Sequence, residues 1–176
     1  MSTKSIIVME DNEGLLTTVS AISCRCDGYP EHNGAILSEY YTDPDKVRKL
    51  IALGNLDYLG IEVEPDRTTK KFGAAWQEGA SEKYNDLIKT LSELKPNLGF
   101  KVDCELKKEA DTHTIAYKRD CGENENQCHT YNSVDELLHD KSDFTMYAEY
   151  IYLYKNGEWS FFDVAKGTWN ELKSKD

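Results

Sequence analysis

The period of apolar residues changes several times along the chain. Residues 5–9, Ser-Ile-Ile-Val-Met, form a short apolar run. Such a run, bounded by turn residues, predicts a strand. Asp11, Asn12, Glu13 and Gly14 supply turn chemistry. Residues 15–26, with Val19, Ile22 and Cys24, return as a second strand and complete an N-terminal β-hairpin. Asp27-Gly28-Tyr29-Pro30 then breaks the strand with a tight turn. Beyond it the spacing becomes helical. Ile36, Leu37, Tyr40 and Tyr41 give a short helix over 31–41 one apolar face. The next helix has both its ends marked. Asp43 can accept from its first turn, and Pro44 sits where a missing N–H costs nothing. Val47, Leu50 and Ile51, with Leu53 at the margin, form its buried stripe, and Gly54 suits a left-handed end.

Residues 55–60 read as a compact connection with Leu56 and Leu59 inward. The stretch 62–79 is polar and predicts a loop or irregular strands around Phe72 and Trp76. Tyr84, Leu87, Ile88, Leu91 and Leu94 predict a helix over 81–95, stopped by Pro96. Strands follow over 100–106 and 112–118, then a polar loop over 121–127. Ser133-Val134-Asp135-Glu136 matches a capping box ahead of Leu137 and Leu138. Residues 147–154 make an aromatic strand, Asn156-Gly157 a hairpin turn, and 158–164 the returning strand. Trp169 and Leu172 can dock the tail on the core. Strands, then helices, then strands predict one α+β domain over 1–176. Its sheet is expected to be mainly antiparallel, with the helices packed on one face.

Composition narrows the function. A chain of 176 residues buries roughly 70% of its unfolded surface and needs no disulfide or metal to build a core. The formal net charge is −11. Nucleic-acid phosphates and anionic membranes repel such a chain. A basic protein, a cation or a small ligand fits better, and solubility alone is the simplest account of acids spread along the whole sequence. No apolar run approaches the roughly 20 residues of a membrane helix. Residues 1–10 lack the features of a signal peptide, so a cytoplasmic location is expected. Cys24, Cys26, Cys104, Cys121 and Cys128 form an odd set, expected to be reduced.

No phosphate loop, His-Glu-x-x-His pair or Gly-x-Ser-x-Gly elbow occurs, and no catalytic set or cofactor is assigned. Two constellations remain. Cys24 and Cys26 would share one strand face, and Cys121, Cys128 and His129 flank a loop. Four of these five suit a tetrahedral zinc site, although Cys-x-Cys departs from zinc-ribbon spacing; the bland reading is small core fillers and loop residues. The second constellation joins Asp27, Tyr29 and His32 at one strand end with Arg119, Asp120 and Glu123 at another. Strand ends display function, and a guanidinium, carboxylates, an imidazole and a phenol suit a polar or anionic ligand. The bland reading is turn chemistry, with Arg119 paired to a local acid. The aromatic row Tyr147, Tyr150, Tyr152, Tyr154, Trp159, Phe161 and Phe162 lacks the basic neighbours that base stacking needs. Packing within the hairpin explains it, and an exposed tyrosine row would instead be a protein-binding face.

Residues 24–34, Cys-Arg-Cys-Asp-Gly-Tyr-Pro-Glu-His-Asn-Gly, resemble the signature of a family of small tailed-bacteriophage and prophage proteins. That family carries a Cys-x-x-Asp-Gly-Tyr-Pro-Glu motif. The segments 41–60, 114–123 and 149–159 are also similar to it. Cys26 stands where the family has Trp, and Cys121 where it has Arg. Both departures are to cysteine, which points to contact between the two turns. The resemblance transfers no activity; it implies a phage protein made in a bacterial host. The leading expectation is therefore a non-enzymatic accessory protein that binds and inhibits a host defence or metabolic protein. The alternatives are a small-ligand binder for a nucleotide signal, lined by the six turn residues, and an acidic nucleic-acid mimic. The mimic is disfavoured by Lys and Arg interleaved among the acids.

Overall fold

A computed structural model describes residues 3–12, 16–64, 113–123 and 127–172 of the chain. β1 (Lys4–Asp11) and β2 (Thr18–Cys24) form the expected antiparallel hairpin, with Val8 opposite Ala21. A π-helical turn, Pro30–Gly34, leads into α1 (Ala35–Tyr40), followed by α2 (Pro44–Ala52) and β3 (Leu56–Tyr58). After the undescribed stretch come β4 (Ile115–Ala116), a second π-helical turn (Tyr117–Cys121), β5 (His129–Tyr131) and α3 (Val134–His139). β6 (Ala148–Lys155), β7 (Glu158–Asp163) and β8 (Thr168–Glu171) complete the described chain. The helix expected over 81–95, the strand over 100–106, Phe72, Trp76 and Cys104 lie outside the described residues.

These strands form one mixed sheet in the order β4-β3-β2-β1-β6-β7-β8, with β5 also on β2. Most neighbours are antiparallel, as expected. The central pair is not: β1 and β6 run parallel, Ile6 beside Ile151 and Val8 beside Leu153. β2 and β3 are parallel as well.

Side chains alternate across this sheet. Ile7, Met9, Ile22 and Cys24 pack with Ile36, Leu37 and Tyr41 and with Val47, Leu50 and Ile51 of α2. Ile6, Val8, Val19 and Ala21 pack on the other face with Leu137, Phe144, Ile151 and Leu153. Both faces of β1 are thus covered, which is why it reads as an unbroken apolar run. α1 and α2 share one face, whereas α3 delivers Leu137 to the other.

Local signals hold where they are strongest. The Asp43 carboxylate accepts from the Asp45 N–H at 2.9 Å, and Gly54 takes φ 77°. Ser133 Oγ accepts from the Glu136 N–H at 3.1 Å, while the Glu136 carboxylate accepts from the Asn132 N–H at 2.7 Å. Leu56 and Leu59 are buried. Tyr40 instead faces solvent, because α1 ends there and the chain turns Tyr41 inward. The helix expected from 31 opens as a π-helical turn, where the Asn33 N–H goes to the Asp27 carbonyl. The tail forms β8, with Trp169 opposite Phe162 and Leu172 against the core.

Four buried aromatic residues tie the two layers together. Tyr152 donates to the Gly28 carbonyl at 2.8 Å, Tyr154 to Thr42 at 3.0 Å, Trp159 Nε1 to Tyr41 at 2.8 Å, and Tyr41 to Gly60 at 2.7 Å. The aromatic row is therefore largely core, and Tyr147 alone stands apart from it.

Gly60 gives a test of this packing. A Cβ there would lie 2.4 Å from the His113 carbonyl carbon and 2.7 Å from the Thr114 nitrogen. Gly60→Ala should lower stability by about 1–3 kcal/mol, read as a reduced urea midpoint at unchanged m. An unchanged midpoint would contradict the close approach.

Candidate functional site

The two turns flagged by the sequence meet at β3. On one edge Cys24 pairs with Leu56, and the Arg25 and Cys26 N–H groups donate to the Leu56 and Asp57 carbonyls at 3.0 and 3.1 Å. On the other edge Leu56 pairs with Ala116 and Tyr58 with Ile115. β3 takes two steps against one, so Asp57 is the extra residue of a β-bulge. Bulges re-aim side chains. Here the Asp57 carboxylate accepts from Tyr117 Oη at 2.9 Å, with Arg25 Nη1 at 3.7 Å and Cys26 Sγ at 4.0 Å. Burial, together with its bond to Asp57, pushes the Tyr117 phenol up to about 12. It stays a donor at neutral pH.

The first π-helical turn grips the next residue of β3. His32 Nε2 lies 3.0 Å from Tyr58 Oη, and His32 Nδ1 lies 2.9 Å from Asn33 Oδ1. The Tyr29 ring sits 5.9 Å from the imidazole. Asn33 itself is fully buried. Its Nδ2 lies 3.2 Å from Ser5 Oγ, 3.4 Å from Cys24 Sγ and 3.2 Å from the Cys26 carbonyl. One amide thus fixes the ends of β1 and β2 against the turn.

The second turn is organised around its own ion pair. Arg119 Nε and Nη2 donate to Asp120 at 2.8 and 2.9 Å. Nη2 also reaches the Thr114 carbonyl at 2.7 Å and Nη1 the Val63 carbonyl at 2.6 Å. Asp120 accepts in addition from the Ala116 N–H at 2.7 Å. Both side chains are committed to the scaffold, as the local-acid reading expects. Asp27 adopts φ 52° at the turn, and its carbonyl accepts from the Asn33 N–H at 3.3 Å. Glu123 is exposed, and its N–H donates to the Tyr117 carbonyl at 3.2 Å. Of the six candidates, Tyr29 and His32 come together, as do Arg119 and Asp120. β3 and its continuation link the two pairs.

Three of the described thiols, Cys24, Cys121 and Cys128, are poorly placed for nucleophilic or metal chemistry, which needs thiolates. Burial pushes Cys24 up to about 12. Cys121 is raised by burial and by the nearby carboxylates of Asp57, Glu123 and Asp120, and Cys128 by burial. His129 pairs with Ala21 on the far edge of β2 and stacks on Phe144 at 3.9 Å. Among the described residues no three His, Cys, Asp or Glu side chains gather as metal ligands. A groove of about 710 Å³ opens beside Ser38, Thr42, Trp159 and Leu172, and one of about 590 Å³ beside His129, Tyr131, His139 and Asp140. Neither contains any of the six turn candidates. No helix among the described residues is long and apolar enough to cross a membrane.

The residues missed from sequence are Arg25, Asn33, Asp57, Tyr58 and Tyr117. Asp57 and Tyr58 did leave a signal: two polar-tipped residues inside the inward-facing connection Leu56 to Leu59. No family model matches the chain, and neither a curated protein nor a solved structure matches it.

Cys24 sets a pH test of this site. Its thiol ionises near 9 when exposed and is held up to about 12 when folded. Between those values the unfolded chain loses the proton first, so stability falls as pH rises, by up to about 1.4 kcal/mol per pH unit. Cys24→Ala should flatten that part of the slope in urea unfolding between about pH 9 and about pH 11. Identical slopes in the two proteins would contradict the burial of this thiol.

Proposed function

We propose that this chain is a phage accessory protein that binds a host bacterial protein in the cytoplasm and inhibits it, without a reaction of its own. Among the described residues, His32, Arg119 and Asp120 of the two turns are engaged in holding the fold. Arg119 and Asp120 fasten the second turn. His32 has a partner at each ring nitrogen, and the shifted thiols are kept protonated. A small ligand at the two turns would have to displace these bonds, which makes the ligand reading the weaker one.

Beside its charged residues, the described surface carries several exposed apolar side chains. Tyr147 carries the reading. It is 84% exposed and adopts φ 65°. A bulky residue in the left-handed region is strained, and such strain persists only where the surroundings impose it, often at functional positions. Met146, Val164 and Trp169 are each at least 40% exposed and lie near the same end of β6 to β8 in the chain. The charge of −11 suits a basic partner. The phage origin and the host target rest on the resemblance of residues 24–34 and its companion segments.

Affinity capture from bacterial lysate, followed by an activity assay of the captured protein, tests the proposal. The expected result is a captured protein whose activity falls in proportion to added chain. Repeated capture of nothing specific, or a captured protein with unchanged activity, would contradict it.

A further inference from the structure

Three side chains stand in series where the first turn meets β3. Tyr58 Oη lies 3.0 Å from His32 Nε2, and His32 Nδ1 lies 2.9 Å from Asn33 Oδ1. The buried end decides where the protons go. Asn33 Nδ2 faces the Cys26 carbonyl at 3.2 Å, which can only accept, and Ser5 Oγ at 3.2 Å. The amide is therefore oriented with Oδ1 toward the imidazole, and an amide oxygen only accepts. In the neutral ring the proton sits on Nδ1, and Nε2 is left to accept from the Tyr58 hydroxyl.

Other phenols of the chain are engaged differently. Tyr41, Tyr152 and Tyr154 donate to backbone carbonyls, which do not take up the proton. Tyr117 and Tyr131 donate to the carboxylates of Asp57 and Asp140, and a carboxylate is ordinarily a weaker base than an imidazole. Tyr58 is aimed at a base able to remove its proton while its oxygen forms a bond. That base is held in one tautomer by a third residue, the arrangement that activates hydroxyl nucleophiles. Tyr58 and His32 are both half-buried and reach solvent, whereas Asn33 behind them is sealed.

We infer that Tyr58 is a modification site: a nucleophilic phenol, with His32 as its base, that takes an acyl group from an activated ester or thioester. The phenol oxygen bonds to the acyl carbon as its proton passes to His32 Nε2. The bond from that carbon to the leaving alkoxide or thiolate then breaks, and the proton on Nε2 leaves with it or goes to water. No oxidant or reductant takes part. Phosphoryl transfer fits less well, because it needs cations around the transferred group. The guanidiniums of the two turns are engaged elsewhere, Arg119 by Asp120, Val63 and Thr114, and Arg25 at Tyr117 and Asp57. A single acylation leaves a modified chain and is not a turnover, so the inference goes beyond the binding reading and does not rest on it.

The test treats the full chain with para-nitrophenyl acetate at neutral pH and follows each acetylated residue by peptide mass spectrometry. Tyr147, 84% exposed, is the internal reference, since access alone would favour it. Tyr58 should be acetylated at least about tenfold faster than Tyr147. In His32→Gln, which can still hydrogen-bond the phenol but takes no proton from it, that excess over Tyr147 should vanish. In His32→Ala, added imidazole should restore the excess, a recovery that a purely structural ring would not give. Nitrogen NMR of the neutral His32 ring in the wild-type chain should place the proton on Nδ1.

Tyr58 reacting no faster than Tyr147 in the wild-type chain would overturn the proposal, whatever the variants do. An undiminished excess in His32→Gln, or no response of His32→Ala to imidazole, would overturn the role of His32 as base. A proton on Nε2 of the neutral ring would overturn the geometry beneath both.

Discussion

Tyr152, Tyr154, Trp159 and Tyr41 each carry one polar atom into the boundary between the sheet and α1 and α2, and each atom finds a backbone carbonyl. A hydrogen bond of this kind contributes about 1 kcal/mol net, but its loss strands a buried acceptor at a cost of about 1–3 kcal/mol. Burial raises the Tyr152 and Tyr41 phenols far above their ordinary range, so both remain donors. The acceptors lie at Gly28, Tyr41, Thr42 and Gly60, the points where the chain changes direction. The aromatic tips therefore set the path of the turns, and the turns set everything built on β3. Asn33 can reach both strand ends, and Asp57 can bulge toward Tyr117, because the path between Gly28 and Gly60 is already fixed.

Much of this scaffold was legible from sequence, and the limits have physical causes. The first hairpin, the caps at Asp43 and Ser133, Gly54 and the Asn156-Gly157 turn are encoded within a few residues, and they appear where the pattern places them. The parallel pairing of β1 with β6 is not encoded locally. It joins residues more than a hundred positions apart, and the side-chain period is the same in either orientation. Pattern alone likewise left α3 on the same face as α1 and α2. Leu137 and Leu138 reveal an apolar stripe but not which side of the sheet receives it.

The candidate site divides in the same way. The pairing of Arg119 with an acid is a neighbour effect, visible in Arg119-Asp120. Where the two turns meet, Arg25 reaches the Tyr117 phenol at 3.5 Å and that phenol donates to Asp57. That residue is aimed by a bulge, and the bulge arises from the register of β3 against β4. The functional reading follows from a division of labour. Polar groups at the turns hold the scaffold, whereas the 140–148 segment, whose carbonyls Lys4 bonds at Asp143, Phe144 and Met146, places an aromatic ring in water. One set of bonds hides its chemistry and the other displays it.

The aromatic donors, and not burial of their rings alone, hold the turns to the sheet. Urea unfolding of Tyr152→Phe measures this most directly, because the ring stays and only the bond to Gly28 is lost. The expected loss is about 1–3 kcal/mol, with faster hydrogen exchange at the Gly28 and Asn33 amides. Stability within about 0.5 kcal/mol of the wild type, with those amides equally protected, would contradict it.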